Sequence, residues 1–301
     1  MLRHINDRPL RAVALAAITA LAFCILPAAL HAAPRTSGAA AATSPEADPI
    51  ALDGLPVQGG VLLGQASPAV TSLSLDGEPV AIATDGRFLI AFNRDAPGSA
   101  QLVATLDSDK KVERTLTVLP REWSIQNVNV ARTVNMPSEA FMALRRPELE
   151  AIGAARAVSS DSQGWRQDFI WPVVGRISGV FGSQRLYRGE PGSYHSGVDI
   201  TTGTSGTPIV APADGVVVLA ADHPFTLEGN LLMIDHGMGL NSAFLHLSEI
   251  NVALGDHVRQ GQVIGRIGAT GRATGPHLHW SMKWHDARID PASLAGPMEQ
   301  R

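Results

Sequence analysis

Residues 275–280 read Gly-Pro-His-Leu-His-Trp and place two histidines two positions apart near the C-terminus. In a β-strand, residues i and i+2 point to the same face and lie about 6–7 Å apart along the chain. His277 and His279 can therefore face one groove while Leu278 packs on the other side. In such a groove one histidine can bind a metal ion while the other lies beside a metal-bound water. The pair alone fits two surface histidines on an exposed strand equally well.

The histidines are concentrated in the C-terminal part of the chain. Eight of the ten follow residue 194, and residues 51–130 contain none. The first of the eight, His195, precedes Asp199 by four positions, which span about 13 Å in an extended strand. Because two ligands of one metal each lie about 2 Å from it, the chain must bend between them, and Ser196-Gly197 supplies that freedom. A lone His-x-x-x-Asp pattern also fits an ordinary turn, so by itself it is weak support for a metal site.

These residues together have the composition of a catalytic metal site. His195, Asp199 and one of His277 and His279 give two imidazoles and one carboxylate, a three-ligand set that leaves a fourth position for water. The only cysteine, Cys24, lies in the N-terminal apolar segment, so a structural thiolate site is excluded from the rest of the chain. A second histidine beside the metal would have a suitable pKa for a general base.

The other histidines have mainly structural interpretations. His246, within Phe-Leu-His-Leu-Ser, is by itself more typical of a hydrogen-bonded strand histidine. His236 follows an aspartate in a predicted hairpin turn, with a position lining the groove as the alternative. Surface or loop positions are predicted for His223, His257 and His285. The segment 183–194 is predicted to be a long loop that forms one wall of the groove. Its candidate wall residues are Arg185, Tyr187 and Tyr194.

Five motifs, taken together, favour the metal site. YHSGVDI, APADGVVV, FLHLS, VRQGQVIGRIG and GATGRATGPHLHW occur in this order. Over about residues 171–291 they resemble the lysostaphin-type zinc metallopeptidases, which cut peptidoglycan cross-bridges. The resemblance implies a glycine-rich antiparallel β groove with a duplicated hybrid motif. It also implies one zinc ion (Zn2+) per chain.

The resemblance assigns a role to each site residue. It implies that His195, Asp199 and His279 bind the metal and that His277 is the general base. It implies that His246 positions water or stabilises the transition state. None of these five positions is substituted, which predicts an active member of the family.

The N-terminus has the pattern of an export signal. Arginines at positions 3, 8 and 11 precede an apolar run at 12–30, and small residues follow it. Residues 1–33 are therefore predicted to be a signal peptide, and the protein is predicted to be periplasmic or secreted. A retained membrane anchor is the alternative, and only then is membrane contact expected. Residues 34–50, rich in Ala, Ser, Thr and Pro, are predicted to be a disordered linker.

The rest of the chain is predicted to be mainly β, in two domains joined by a short helical bridge. Residues 51–130 alternate short apolar runs with turn signals, which predicts a small antiparallel β-sandwich with an immunoglobulin-like topology left open. Residues 131–168 form the predicted bridge, in which Ser138 caps a helix and Pro147 separates two short helices. Residues 169–298 are the predicted zinc metallopeptidase domain.

The net charge and the few lysines exclude some classes of function. The formal net charge is −4 and there is no basic stripe, which argues against nucleic-acid binding. A lipoyl or biotinyl carrier needs a lysine at an exposed hairpin tip, and Lys283 is the only lysine after residue 168. The sequence therefore predicts an exported zinc metalloendopeptidase that hydrolyses peptide bonds in peptidoglycan stem peptides or cross-links. The alternative is a non-catalytic cell-wall-binding protein or amidase activator of the same fold. Peptidoglycan is the expected partner, and a regulatory partner protein is left open.

Overall fold

The computed structural model describes residues 48–132 and 137–299. The predicted signal peptide, residues 1–33, and the part of the predicted linker at 34–47 lie outside the described residues. The described residues belong to one compact unit. Within the described residues, no helix is long and apolar enough to cross a membrane.

Two antiparallel sheets form the predicted β-sandwich. Their strands are β1 (Ile50–Asp53), β2 (Val61–Ala66), β3 (Val70–Leu75), β4 (Glu78–Val80), β5 (Arg87–Ala91), β6 (Ser99–Leu106) and β7 (Lys111–Thr117). One sheet has the order β1-β2-β5 and the other β4-β3-β6-β7. In immunoglobulin constant-type domains the fourth strand joins the sheet of the first, second and fifth, whereas here it pairs with β3. β1 begins at Ile50, the last residue of the predicted linker, and that side chain is buried.

The bridge contains one long helix. It is α1 (Glu139–Ala157), and a 3-10 helix follows at Gly164–Arg166. Before the bridge, the strand β8 (Ile125–Val128) lies at the end of the range predicted for the sandwich. Ser138 caps α1 as predicted, because its hydroxyl accepts the backbone N–H of Phe141 at 3.1 Å. The prediction that Pro147 separates two helices is wrong, since Pro147 lies inside α1. A proline in a helix interior reduces helix stability by about 3 kcal/mol. Arg145 and Glu148, which flank Pro147, form a buried ion pair with each other, and Arg145 also pairs with Glu228, so these contacts hold the helix in place.

The C-terminal part consists of short strands and one short helix. They are β9 (Arg176–Gly179), β10 (Gln184–Tyr187), β11 (Glu190–Pro191), β12 (Val198–Thr201), β13 (Pro208–Val210), β14 (Gly215–Ala220), β15 (Asn230–Asp235), β16 (Leu240–Leu247), β17 (Glu249–Ile250), β18 (His257–Val258), β19 (Val263–Arg266), β20 (Leu278–Trp284), β21 (Ala287–Ile289) and α2 (Ala292–Ala295). The largest sheet has the order β18-β14-β15-β16-β20-β12-β9, with β21 also paired to β20. A smaller sheet has the order β13-β19-β17. The predicted mainly β architecture with a large antiparallel sheet is confirmed.

The segment 183–194 differs from its prediction. It is not a long loop, because β10 and β11 form an antiparallel hairpin and β10 also pairs in parallel with β8. The partner strand β8 lies more than 50 residues earlier in the sequence, so the local pattern gave no sign of the pairing. Arg185 and Tyr187 are therefore strand residues.

A contiguous apolar core joins the sandwich to the C-terminal part. Polar contacts also join the sandwich to the C-terminal part and to the bridge. Arg121 donates to the buried carboxylate of Asp290 at 2.9 Å, and Arg166 donates to Asp85 at 2.7 Å. The large sheet is therefore held from one side by the sandwich.

His236 lies in the core rather than in the groove. The ring donates from Nδ1 to the carbonyl oxygen of Asp214 at 2.8 Å and accepts at Nε2 from the Ser242 hydroxyl at 2.9 Å. The indole of Trp280 also donates to Ser242, at 3.2 Å. The structural role predicted for His236 is thus confirmed. Burial lowers the pKa of His236 to about 4, which keeps the ring neutral.

We expect this histidine to make stability depend on pH. The unfolded imidazole protonates near its ordinary pKa of 6.5 and the folded one only near 4. The contribution of the neutral ring to the free energy of unfolding is therefore complete above pH 6.5. It is lost as the pH falls towards 4, and the loss amounts to up to about 3 kcal/mol. In His236→Gln, the free energy of unfolding measured in urea should fall less over this window than in the wild type. The matched control is His257→Gln, at an exposed position. An equally reduced pH dependence of the free energy of unfolding in that variant would contradict the role assigned to His236.

Candidate metal and catalytic site

The register between β12 and β20 brings the first two predicted ligands together. Asp199 pairs directly opposite His279 in this antiparallel pair, and side chains at opposed positions lie on the same face of a sheet. Asp199 Oδ1 and His279 Nδ1 are 2.8 Å apart. On the opposite face, Ile200 and Trp280 are fully buried in the core. The carboxylate and imidazole therefore point into the groove because their neighbours fill the core.

His195 completes the cluster from just outside β12. The chain bends over Ser196-Gly197, as the sequence required, and brings His195 Nε2 to 3.1 Å from both Asp199 Oδ1 and His279 Nδ1. The other ring nitrogen of His195, Nδ1, donates to the carbonyl oxygen of Val180 at 3.1 Å. In the neutral ring this bond leaves the Nε2 lone pair facing the cluster. We call these three atoms the donor triangle.

The donor triangle fits a divalent metal ion. Three such ligand atoms from His195, Asp199 and His279 lie within 4.8 Å of one another. A carboxylate oxygen and two imidazole nitrogens, with no thiolate, are a donor set suited to zinc and related metals. The residues present therefore match the composition of an open metal site with three protein ligands.

The electrostatics of the triangle keep Asp199 ionised. Burial alone would raise the pKa of Asp199, but hydrogen bonds with His195 and His279 hold it well below its ordinary value. Burial lowers the pKa of His279. Burial opposes protonation of His195 as well, but its hydrogen bond with Asp199 raises the pKa of that ring above its ordinary value. The triangle thus attracts one positive charge between its members, which a proton or a metal cation can supply.

Two more histidines lie beside the triangle. His277 Nε2 is 3.8 Å from Asp199 Oδ1, while its Nδ1 donates to the carbonyl oxygen of Gly275 at 2.8 Å. His246 Nδ1 donates to the carbonyl oxygen of Thr270 at 2.9 Å. The rings of His246 and His277 have centroids 4.9 Å apart. The structure therefore brings all five predicted site residues into one groove.

His246 has an unusual backbone conformation. Its φ of 66° lies in the left-handed region, which a residue with a side chain adopts only at a cost. The backbone N–H of His246 donates to the carbonyl oxygen of Glu228 at 2.8 Å, and the ring is tied to Thr270. Bonds at both backbone and ring hold His246 in this position.

The groove has a volume of about 400 Å³ and is open to solvent. Besides the five histidine and aspartate residues, its lining includes Tyr194, Leu227, Glu228, Arg272 and Thr274. Tyr194, from the segment predicted to form a wall, does line the groove, and its hydroxyl bonds to Asn93 at 3.3 Å. The histidines predicted to lie at the surface do so: His223, His257 and His285 are exposed.

Comparisons with known proteins agree with this geometry. Residues 193–291 match the model of Peptidase family M23. A Pseudomonas aeruginosa crystal structure assigned to peptidase M23 superposes with a TM-score of 0.61 and 30% identity, over 81% of this chain and 96% of that one.

The chain belongs to peptidase family M23.

Curated relatives of this M23 chain include cell-wall enzymes. The peptidoglycan DD-endopeptidase ShyA of Vibrio cholerae is 34% identical over 229 residues, which cover 68% of this chain and 50% of ShyA. The DD-carboxypeptidase/endopeptidase Mpg of Neisseria meningitidis serogroup B is 40% identical over 129 residues, 42% of this chain and 28% of Mpg. The chain thus spans half or less of the length of these relatives.

In this M23 chain the sandwich helps to orient His195. Arg94, a buried residue of the sandwich, donates to the carbonyl oxygen of Gly182 at 2.9 Å. The N–H of Gly182 in turn donates to the carbonyl oxygen of His195 at 2.8 Å. Sequence reasoning missed Arg94, because no local pattern marks an arginine that acts on a histidine about a hundred residues later.

Helix α1 supports the opposite wall of the M23 groove. The Arg145 guanidinium donates to both carboxylate oxygens of Glu228, at 2.6 and 2.7 Å. Glu148 accepts from Arg145 at 2.8 Å and from the backbone and hydroxyl of Thr226 at 2.6 and 2.7 Å. These bonds fix the loop whose Glu228 carbonyl holds the backbone of His246. The sequence signal was an Arg-x-x-Glu pair, which on most helices is only a surface ion pair.

We expect the donor triangle to be sensitive to Gly197. A Cβ at this position would lie 2.5 Å from the Trp280 carbonyl oxygen and 2.7 Å from His279 Nε2. Because neither distance is tolerated, Gly197→Ala should displace His279 and weaken zinc binding roughly ten-fold or more, the scale of other changes around metal ligands. Isothermal titration calorimetry with zinc measures the change.

The matched control is Gly275→Ala, two residues before His277. A Cβ there meets no heavy atom within 4 Å, so the affinity for zinc should stay close to that of the wild type. An equal loss in both variants would contradict the steric explanation.

Proposed function

We propose that this M23 chain is a zinc endopeptidase that hydrolyses amide bonds in the peptides of peptidoglycan, outside the cytoplasm. The observation that carries the proposal is the donor triangle of His195, Asp199 and His279, with His277 and His246 beside it in one open groove. A metal site next to two further imidazoles suits a hydrolysis that needs both a Lewis acid and a proton acceptor.

Peptidoglycan as substrate is supported by the relatives. ShyA and Mpg are both named as endopeptidases, and the similarity to ShyA covers 68% of this chain. A substrate in the cell wall implies a periplasmic or extracellular location, which agrees with the signal peptide predicted from the sequence.

Zinc is the metal we assign to the donor triangle. Two imidazoles and one carboxylate are a typical set for catalytic zinc, which keeps a coordination position open for water or substrate. When bound there, zinc supplies Lewis acidity, lowering the pKa of water and polarising an amide carbonyl.

His277 is the proposed general base. Because its Nδ1 hydrogen is donated to the Gly275 carbonyl oxygen, its Nε2 lone pair is free on the side of Asp199. In the proposed reaction Nε2 takes a proton from the attacking water as the carbon–oxygen bond forms. It then gives that proton to the leaving amine nitrogen as the carbon–nitrogen bond breaks.

His246 is proposed to position the water. Its Nδ1 hydrogen is donated to Thr270, so the neutral ring offers Nε2 as an acceptor for a hydrogen bond from water. Burial lowers the pKa of His246, with the nearby rings of His277 and His279 contributing, which favours the neutral form.

The decisive experiment combines metal analysis with digestion of purified peptidoglycan. We expect one zinc per chain and new peptide termini detected by mass spectrometry, both abolished in His195→Ala. One zinc without new termini would count against endopeptidase activity and favour the cell-wall-binding or amidase-activating alternative. No bound zinc would contradict the metal assignment itself.

The two C-terminal histidines should behave differently when each is replaced by alanine. His279→Ala removes a donor atom and should lose the zinc. His277→Ala should keep the zinc and lose at least about 100-fold in kcat, the usual contribution of general acid–base catalysis. Zinc content and kcat are measured on the same preparations, with His257→Ala as the control at an exposed position. Equal zinc loss in both variants would mean that the two roles are wrongly assigned.

A further inference from the structure

A second pocket adjoins the groove and is lined by four arginine and lysine side chains, of which Arg145 is paired with two glutamates. It has a volume of about 240 Å³. Ser196, Glu228, Leu245 and His279 line both this pocket and the groove. Its lining also includes Arg156, Lys283 and Arg288. We call the region around these three side chains the cationic pocket.

The strand β20 runs from the donor triangle to the cationic pocket. Because side chains alternate along a strand, His279, Ser281 and Lys283 share one face, and all three line the second pocket. Four strand residues span about 13 Å. Arg288 lies on β21 directly opposite Lys283.

Helix α1 forms the other side of this channel. Arg145, Leu149, Ile152 and Arg156 of α1 line it. Arg156 donates to the side-chain oxygen of Asn241 at 2.7 Å. The helix therefore places a guanidinium next to the end of β20.

The charges in the cationic pocket are poorly balanced. The side chain of Lys283 is 18% exposed, and within the described part of the chain its one carboxylate partner is Asp286, at 3.2 Å, which is itself fully exposed to water. Among the described residues, neither Arg156 nor Arg288 has a carboxylate within 4 Å. Arg145, by contrast, is matched by two glutamates.

Holding these cations together is unfavourable without an anion. Burial, together with the charge of Arg288, lowers the pKa of Arg156 to about 10, although Asp286 acts in the opposite direction. Burial also lowers the pKa of Lys283, and Arg156 and Arg288 add to this effect more than the hydrogen bond with Asp286 offsets. The protein as a whole has a net charge of −4, so a general excess of basic residues does not account for the cluster. A bound anion would relieve both the repulsion and the desolvation.

We propose that the cationic pocket binds a carboxylate of the peptide substrate, about four residue lengths from the bond that is cut. The inference rests on the proposed peptidase function, because a peptide that occupies the groove can extend along β20 into this pocket. The anionic groups of a peptide are carboxylates, and Arg and Lys side chains are suited to bind them. The preferred substrate class is therefore an acidic peptide with a free carboxylate on one side of the scissile amide.

The test compares two substrates that differ only in charge. They are a cross-linked dimer of peptidoglycan stem peptides with free carboxylates and the same dimer with those carboxylates amidated. For the wild type, we expect kcat/KM to be about ten-fold higher for the free acid, through KM. In Arg288→Gln and Lys283→Gln this preference should fall to about one.

The matched control is Arg259→Gln, an exposed arginine outside both pockets, which should keep the ten-fold preference. Arg288 is itself exposed, so its replacement is not expected to disturb folding. Retention of the preference in both pocket variants, or its equal loss in Arg259→Gln, would overturn the proposal.

A binding measurement separates this proposal from the proposed function. The affinity of each dimer for the His277→Ala variant is measured by calorimetry, with and without the added Arg288→Gln change. A preference for the free acid that disappears with Arg288→Gln supports the cationic pocket even if the wild type cuts neither dimer. Absence of cleavage would then count only against the peptidase function. Equal binding of both dimers would overturn the cationic pocket.

Discussion

The pairing of β12 with β20 is the constraint on which the rest of this structure depends. It sets Asp199 opposite His279, and a slip of one residue would turn every side chain of one strand to the other face. Such a slip would expose Leu278 and Trp280, which are fully buried, and would bury the imidazole of His279. The apolar residues of β20 therefore lock the register, and the metal ligands follow from it.

The sandwich and helix α1 help to hold the site histidines in place. The sandwich acts on His195 through Arg94 and Gly182. On the opposite wall, α1 acts on His246 through the ion pair of Arg145 with Glu228. Removing Arg145 would leave two partly or fully buried carboxylates without their partner, which is a costly change. The sandwich and α1, both outside residues 193–291, therefore contribute directly to the site, because each makes bonds that help to position a site histidine.

The groove and the cationic pocket lie at the two ends of strand β20, and their charges are opposite in character. One end of β20 carries a ligand of the donor triangle, where a carboxylate and neutral imidazoles suit a cation. The other end carries Lys283, close to Arg156 and Arg288, where the excess charge suits an anion. A strand is well suited to this division, because its rise per residue fixes the distance between the two ends. Under the proposed function, the same strand carries a metal ligand and sets the distance from that ligand to the residues proposed to bind a carboxylate.

The sequence by itself determined the class of fold and the members of the candidate site. Alternating apolar runs predicted the sandwich, and the motifs containing His195, Asp199, His246, His277 and His279 predicted residues that do meet in one groove. Strand periodicity and the turn chemistry of glycine act over a few residues, and they predicted that His277 and His279 share a face and that the chain bends after His195. His246 and the individual roles were predicted only from the resemblance to the lysostaphin-type metallopeptidases.

Only the tertiary structure decided which distant residues support that site. Pro147 signalled the start of a helix, yet ion pairs formed by its neighbours keep it inside α1. The segment 183–194 looked like a loop until β8 supplied a partner strand. Arg94 and the cationic pocket had no sequence signal at all. These features depend on contacts between residues tens to more than a hundred positions apart, and the energy of such contacts arises only when the chain has folded.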